Sequence, residues 1–366
     1  MLQLYSLFFL ILLSLVFVSS SFAQYSSPES VTYDPVGKAY YVSNTSSSNI
    51  VKRTQDGTTS IFKNVGGSIH GITYYNGKVY VANGTRVRGY DLSNANEILN
   101  VQITGATFVN DVAIDSTNGM LYASDFSARR IYKVNTNTSE FWTWVGTTAR
   151  QPNGLFVDKP RNRILACTWG ASAIVYSIPL NDSANVQTIL STSYGNFDGI
   201  SLDRNDHVYI STWSAQSVIR YDINFALPAF VVTSGLSNPA DIYVNRWTDT
   251  LAIPNAGNNT LGLVQLTIPT SISDPVTKVE SFELKQNYPN PFNPISNIEF
   301  SISNFGFTQL KIYNDLGKEV AVLVNEELPV GNYKVQWSAE NLPSGIYYYT
   351  LSTKDFSETK KMILVK

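Results

Sequence analysis

The sequence predicts an all-β protein: a six-bladed β-propeller followed by a small Ig-like β-sandwich. Three observations carry this. A short element, in which a polar residue leads into an alternating apolar run, recurs six times at roughly 40–45 residue intervals, the length of a four-stranded blade. Asn-Gly and related turn pairs sit between alternating runs, the strongest short hairpin signal because both turn residues need positive φ. The composition also favours strands and turns over helices, with 13% aromatic residues, 22 Tyr, 22 Gly and only 3 Met.

The chain opens with an apolar run, Leu7 to Val18, then Ser19-Ser20-Ser21-Phe22-Ala23. Small residues at Ser21 and Ala23 fit a signal-peptidase site, so residues 1–23 are expected to be a signal peptide cleaved before Gln24. The run is short for a membrane span, and no stable span is expected after cleavage. Residues 24–266 then carry the repeats. The six copies are Pro28 to Asp34, Ile69 to Ile72, Val109 to Asp115, Pro152 to Asp158, Phe197 to Asp203 and Pro239 to Ile242. Each is an inner strand, followed by a turn such as Asn76-Gly77, Asn118-Gly119 or Arg204-Asn205-Asp206. A second strand follows, as in Lys78 to Ala82, Met120 to Ser124 or His207 to Ser211. Third strands read Arg130 to Val134 or Val218 to Tyr221, and outer strands Phe141 to Val145 or Ala229 to Val232. No fourth strand is legible after Leu263 to Leu266, so the segment that closes the ring cannot be named.

Residues 267–281, rich in Ser, Thr, Pro and Asp, read as a linker. From Phe282 the composition changes to six short alternating runs, Ser296–Ser301, Gln309–Tyr313, Glu319–Leu323, Gly331–Trp337, Gly345–Ser352 and Lys361–Val365. That spacing predicts an antiparallel sandwich.

Composition excludes several classes. Net charge is −2 with only 15% charged residues, so no basic field points to nucleic acid. The single cysteine, Cys167, permits no intramolecular disulfide, and its strand suggests a small buried side chain. There is no G-x-S-x-G elbow, no zinc-type histidine spacing and no phosphate-cradling glycine loop. Trp142, Trp144, Trp169 and Trp213 are expected to pack in outer strands between blades, with a carbohydrate or peptide face as the alternative.

The motifs YPNPFNPISNIEFSI, LKIYNDLGKEVAVL, GNYKVQW, LPSGIYYYTL and KKMILVK follow one another through residues 282–366. This segment resembles the type A sorting domain of the type IX secretion system. The resemblance implies secretion or cell-surface display, with the secretion machinery as the partner of residues 282–366.

The chemistry is expected at the channel, which the inner strands line. The second residue of each copy forms a ring: Glu29, His70, Asn110, Asn153, Asp198 and Ala240. Apolar residues follow two positions on, from Val31 through Ile72, Val112, Leu155 and Ile200 to Ile242. Two carboxylates at a narrow axis with no Lys or Arg in the ring call for a counter-ion. Hard oxygen donors suit a divalent cation: Ca²⁺ first, with Mg²⁺, Mn²⁺ or Zn²⁺ as alternatives. Turn formation by Asn and Asp, or bridging channel waters, is the bland alternative.

These motifs also resemble the gluconolactonase and senescence marker protein (regucalcin) family of six-bladed lactonases, and NHL-type propellers share part of the pattern. The resemblance implies Glu29, Asn153 and Asp198 as metal ligands and Asn110 as a substrate contact. Asp198 would also be the general base, with His70 assisting proton transfer. The sequence departs from the family where Phe108 stands in place of a sugar-acid-binding Arg and Ser30 in place of a Gly. The expected partner is a small-molecule substrate, or a ligand if the propeller only binds.

Overall fold

The structure, a computed structural model, describes residues 24–266, 281–303, 306–328, 331–354 and 356–366. The expected signal peptide and residues 267–280 of the expected linker lie outside the described residues. Among the described residues no helix is long and apolar enough to cross a membrane, and the only helical element is a 3-10 turn at Lys159–Arg161.

Six antiparallel sheets form the propeller. Blade 1 runs from Pro28 to Asn64, blade 2 from Ile69 to Gln102, blade 3 from Val109 to Val145 and blade 4 from Pro152 to Ser191. Blade 5 runs from Phe197 to Ser234, and blade 6 from Tyr243 to Gln265. The first five hold four strands each in simple up-and-down order, and blade 6 shows three among the described residues. The alternating apolar residues that mark each strand supply six separate cores, one between each pair of neighbouring blades. Tyr80, Leu99, Val112 and Tyr132 fill that between blades 2 and 3, and Val31, Tyr33, Val42 and Ala252 that between blades 1 and 6. A sheet covered on both faces this way needs its neighbours, so no blade is an independent unit.

Ring closure joins the two ends of the repeat array directly. Asp241 N–H donates to Glu29 O at 2.8 Å, Ser30 and Asp241 form a parallel bridge, and Asn245 Nδ2 donates to the Tyr40 hydroxyl at 3.1 Å. At the far end of the blades, turn residues pair across interfaces: Lys159 with Asp115 at 2.8 Å, Arg161 with Asp206 and Arg204 with Asp249.

The carboxy-terminal unit is a sandwich of a three-stranded and a four-stranded sheet. Its strands lie between Glu283 and Leu364, around a core that includes Phe300, Ile312, Trp337, Tyr349 and Met362.

Candidate active site in the central channel

A bulge at the start of the inner strands aims the ring residues. In blades 1 to 5 the pairing of inner and second strand slips at the ring position: between Pro28 and Ser30, Ile69 and Ile72, Pro152 and Leu155, Phe197 and Ile200, and opposite Asn110 between Ala123 and Asp125. Bulges re-aim a side chain where regular pairing would not. The carbonyl of the ring residue is then held by a donor on the second strand of the preceding blade. Ser124 Oγ donates to Asn153 O at 2.8 Å and Ser211 Oγ to Ala240 O at 2.8 Å. Cys167 Sγ occupies the corresponding place and donates to Asp198 O at 3.1 Å. Burial, and then the charges of Asp198, Asp241 and Asp111, raise the thiol well above its ordinary range, so it stays protonated and able to donate.

The ring side chains form two pairs and a lone acid. His70 Nδ1 lies 3.8 Å from Glu29 Oε1, each side chain about 15% exposed, while its Nε2 meets Ser68 Oγ at 2.8 Å. Asn110 Nδ2 hydrogen-bonds to Asn153 Oδ1, and Asn153 Nδ2 donates to Phe197 O at 3.0 Å. Asp198 is 3% exposed. Its carboxyl is raised well above the usual range by burial, then by the charges of Glu29 and Asp111, with the Trp213 indole drawing it partway back. Ala240 closes the ring without chemistry.

One residue further along each strand is a second layer, of which only Ser30 stood out in the sequence: Ser30, Gly71, Asp111, Gly154, Gly199 and Asp241. Asp111 and Asp241 are buried carboxyls. Asp111 Oδ2 accepts from Leu155 N–H at 2.6 Å, whereas its Oδ1 has no hydrogen-bond partner of the ordinary kind. Asp241 lies close enough to Asp111 for the charge of one to hold the proton on the other. Burial raises Asp111 to about 6 and raises Asp241 well above its usual range, with Asp111 adding to the effect. Ser30 Oγ donates to Asp241 Oδ2 at 2.5 Å. Glycine is required opposite both acids: a Cβ on Gly71 would stand 2.3 Å from Asp111 Oδ1, and one on Gly199 would stand 2.5 Å from Asp241 Oδ1. The signal for this layer is a polar or glycine residue immediately after every ring position, a second periodicity offset by one from that of the ring.

The mouth of the channel also corrects an expectation. Trp142 and Trp144 do lie on an outer strand, Phe141–Val145. Trp169 and Trp213 instead follow the second strands of blades 4 and 5, Arg163–Thr168 and His207–Thr212, at the same end as the ring. The physical reason is the register: the residue after each second strand is tied by its N–H to the carbonyl two residues before the ring position.

Carboxylate and amide oxygens gathered here are the donors a hard divalent cation prefers. Among the described residues no three His, Cys, Asp or Glu side chains converge to hold a metal. A cation at Glu29 and Asp198 would therefore need the Asn153 amide oxygen, freed from Asn110. No Lys or Arg bonds to any ring side chain among the described residues.

Residues 286–366 match the family model described as the secretion system C-terminal sorting domain, and this marks the chain as a type IX secreted or cell-surface protein. No curated protein matches the sequence. Among solved structures, a gluconolactonase of Xanthomonas campestris is 15% identical, with a TM-score of 0.56 over 66% of this chain and 86% of its own. A luciferin-regenerating enzyme is 13% identical, with a TM-score of 0.52 over 64% and 85%. A catalytically inactive virginiamycin B lyase of Staphylococcus aureus, in complex with quinupristin, is 14% identical, with a TM-score of 0.51 over 65% and 80%. At these identities the likeness is one of fold.

Proposed function

We propose that the chain is an exported, divalent-cation-dependent lactone hydrolase acting at the mouth of its propeller channel. The observation that carries this is Asp198, buried close to the Glu29 charge with no Lys or Arg bonded to either among the described residues. Evolution of a stable ring would remove such a cost unless the site used it. Glu29, Asn153 and Asp198 would hold the ion, preferably Ca²⁺. When bound, the cation would balance the acids and polarise a lactone carbonyl. Asp198 then takes a proton from water, Asn110 orients the substrate, and His70, backed by Ser68, moves the proton onward. The likeness of fold to a gluconolactonase supports the reading without deciding it.

A second reading is favoured by one contact. The Asn110–Asn153 hydrogen bond occupies the amide oxygen a cation would need, as expected of a propeller that only binds a ligand or partner.

Thermal unfolding of the full chain in EDTA, then with Ca²⁺, Mg²⁺, Mn²⁺ or Zn²⁺, separates them. A ligand confined to the folded state adds about 2.7 kcal/mol at a hundredfold excess over Kd. A shift lost in Glu29→Ala and Asp198→Ala, with turnover of simple lactones, supports the hydrolase. A shift without turnover supports the binding propeller, and no shift with any cation overturns the cation site.

A further inference from the structure

The backbone marks six equivalent places on the channel rim. In every blade the residue after the second strand donates its N–H to the carbonyl two residues before the ring position. The pairs are Thr45 to Ser27 at 3.0 Å, Gly84 to Ser68 at 3.1 Å and Phe126 to Phe108 at 2.9 Å. The other three are Trp169 to Gln151 at 3.1 Å, Trp213 to Asn196 at 3.0 Å and Ala256 to Asn238 at 3.1 Å. The rim is therefore Thr45, Gly84, Phe126, Trp169, Trp213 and Ala256. Blades 3, 4 and 5 carry large aromatic rings, while blades 6, 1 and 2 carry small residues.

The three rings join Phe108 and His70 in one unbroken series of edge contacts. Ring centres are 4.7 Å apart for His70 and Phe108, 5.9 Å for Phe108 and Phe126, 6.2 Å for Phe126 and Trp169, and 5.3 Å for Trp169 and Trp213. The series begins at the partner of Glu29 and ends at Trp213, which lies on the same blade as Asp198 and has its Nε1 buried. It thus spans the site from one carboxylate to the other. All four Phe and Trp side chains are partly exposed.

We propose that this half-rim is a specificity wall, which seats the apolar chain of an uncharged lactone while its carbonyl lies over Glu29 and Asp198. The inference rests on the hydrolase reading for the lactone and on the wall alone for the chain. Two features select the ligand. The Phe108, Phe126, Trp169 and Trp213 rings carry no hydrogen-bond acceptor and no charge, so they favour an alkyl chain over a charged or hydroxylated one. Among the described residues no Lys or Arg bonds to a ring side chain, so no basic group at the floor pairs a substrate carboxylate.

The test uses the full chain with γ-butyrolactone and γ-decalactone, read by tryptophan fluorescence for binding and by acid release for turnover. Removing a methylene from water is worth about fourfold in affinity. With partial burial, γ-decalactone should bind at least about tenfold tighter than γ-butyrolactone. Phe126→Ser and Trp169→Ser should each cut that ratio severalfold, Trp169→Phe should retain most of it, and Trp142→Ala on the outer strand should leave it unchanged. Chain-length preference in binding without acid release supports the wall and overturns the hydrolase reading. Turnover with no chain-length preference, or a preference unaltered by both serine variants while circular dichroism shows them folded, overturns the wall.

Discussion

Cys167 Sγ donates to the carbonyl of Asp198 at 3.1 Å, where neighbouring blades use a serine hydroxyl for the same bond. The lone cysteine is thus a pin for the backbone of the ring acid. Cys167→Ser should keep the bond and stay within about 1 kcal/mol of the parent, whereas Cys167→Ala should cost about 1–2 kcal/mol by leaving the carbonyl unpaired. Urea unfolding of both variants decides it, and a serine variant weaker than the alanine one would refute the pin.

The acids beneath the ring predict an unusual pH dependence. Asp111 is raised from 3.8 to about 6, so folding favours its protonated form. Its contribution is full below about pH 4 and is lost as pH rises through about 6, on the order of 3 kcal/mol in all. Asp198 and Asp241, raised further, extend the decline upward. Denaturation midpoints measured from pH 4 to 7 should fall in the parent and flatten in Asp111→Asn. A parent that gains stability across that range would contradict the arrangement.

Gly199 tests how tightly the inner strands meet. A Cβ there would stand 2.3 Å from Ile242 N, while at Gly146 it would meet nothing within 4 Å. Gly199→Ala should therefore cost more than about 2 kcal/mol and Gly146→Ala almost nothing. Matched thermal melts give the comparison.

The belt of ion pairs should be uneven. Asp158 is 1% exposed and receives Arg163 Nε at 2.7 Å and Arg161 at 3.1 Å, so Arg163→Met leaves a buried acid short of a partner and should cost about 2 kcal/mol. Arg204 is half exposed in its pair with Asp249, and Arg204→Met should change stability by less than about 1 kcal/mol. Equal losses on urea unfolding would contradict this.

Much of the fold was legible because each blade repeats its own hydrophobic alternation and turn residues, which are local signals. The ring positions were legible for the same reason. What stayed hidden depends on neighbours that are remote in sequence. Asp111 and Asp241 meet only because the ring closes, the Cys167 thiol finds its acceptor in the next blade, and Trp169 and Trp213 form an arc only when three blades stand side by side. A single residue's pattern cannot report a contact whose other half lies some 40 or 130 residues away.

Ring closure has a consequence for when the site comes into being. Glu29 belongs to the first blade and Asp241 to the last, and the bond between them spans more than two hundred residues, a contact of high entropic cost that forms late. The channel acids of the first and last blades therefore come together only once the last blade has closed on the first.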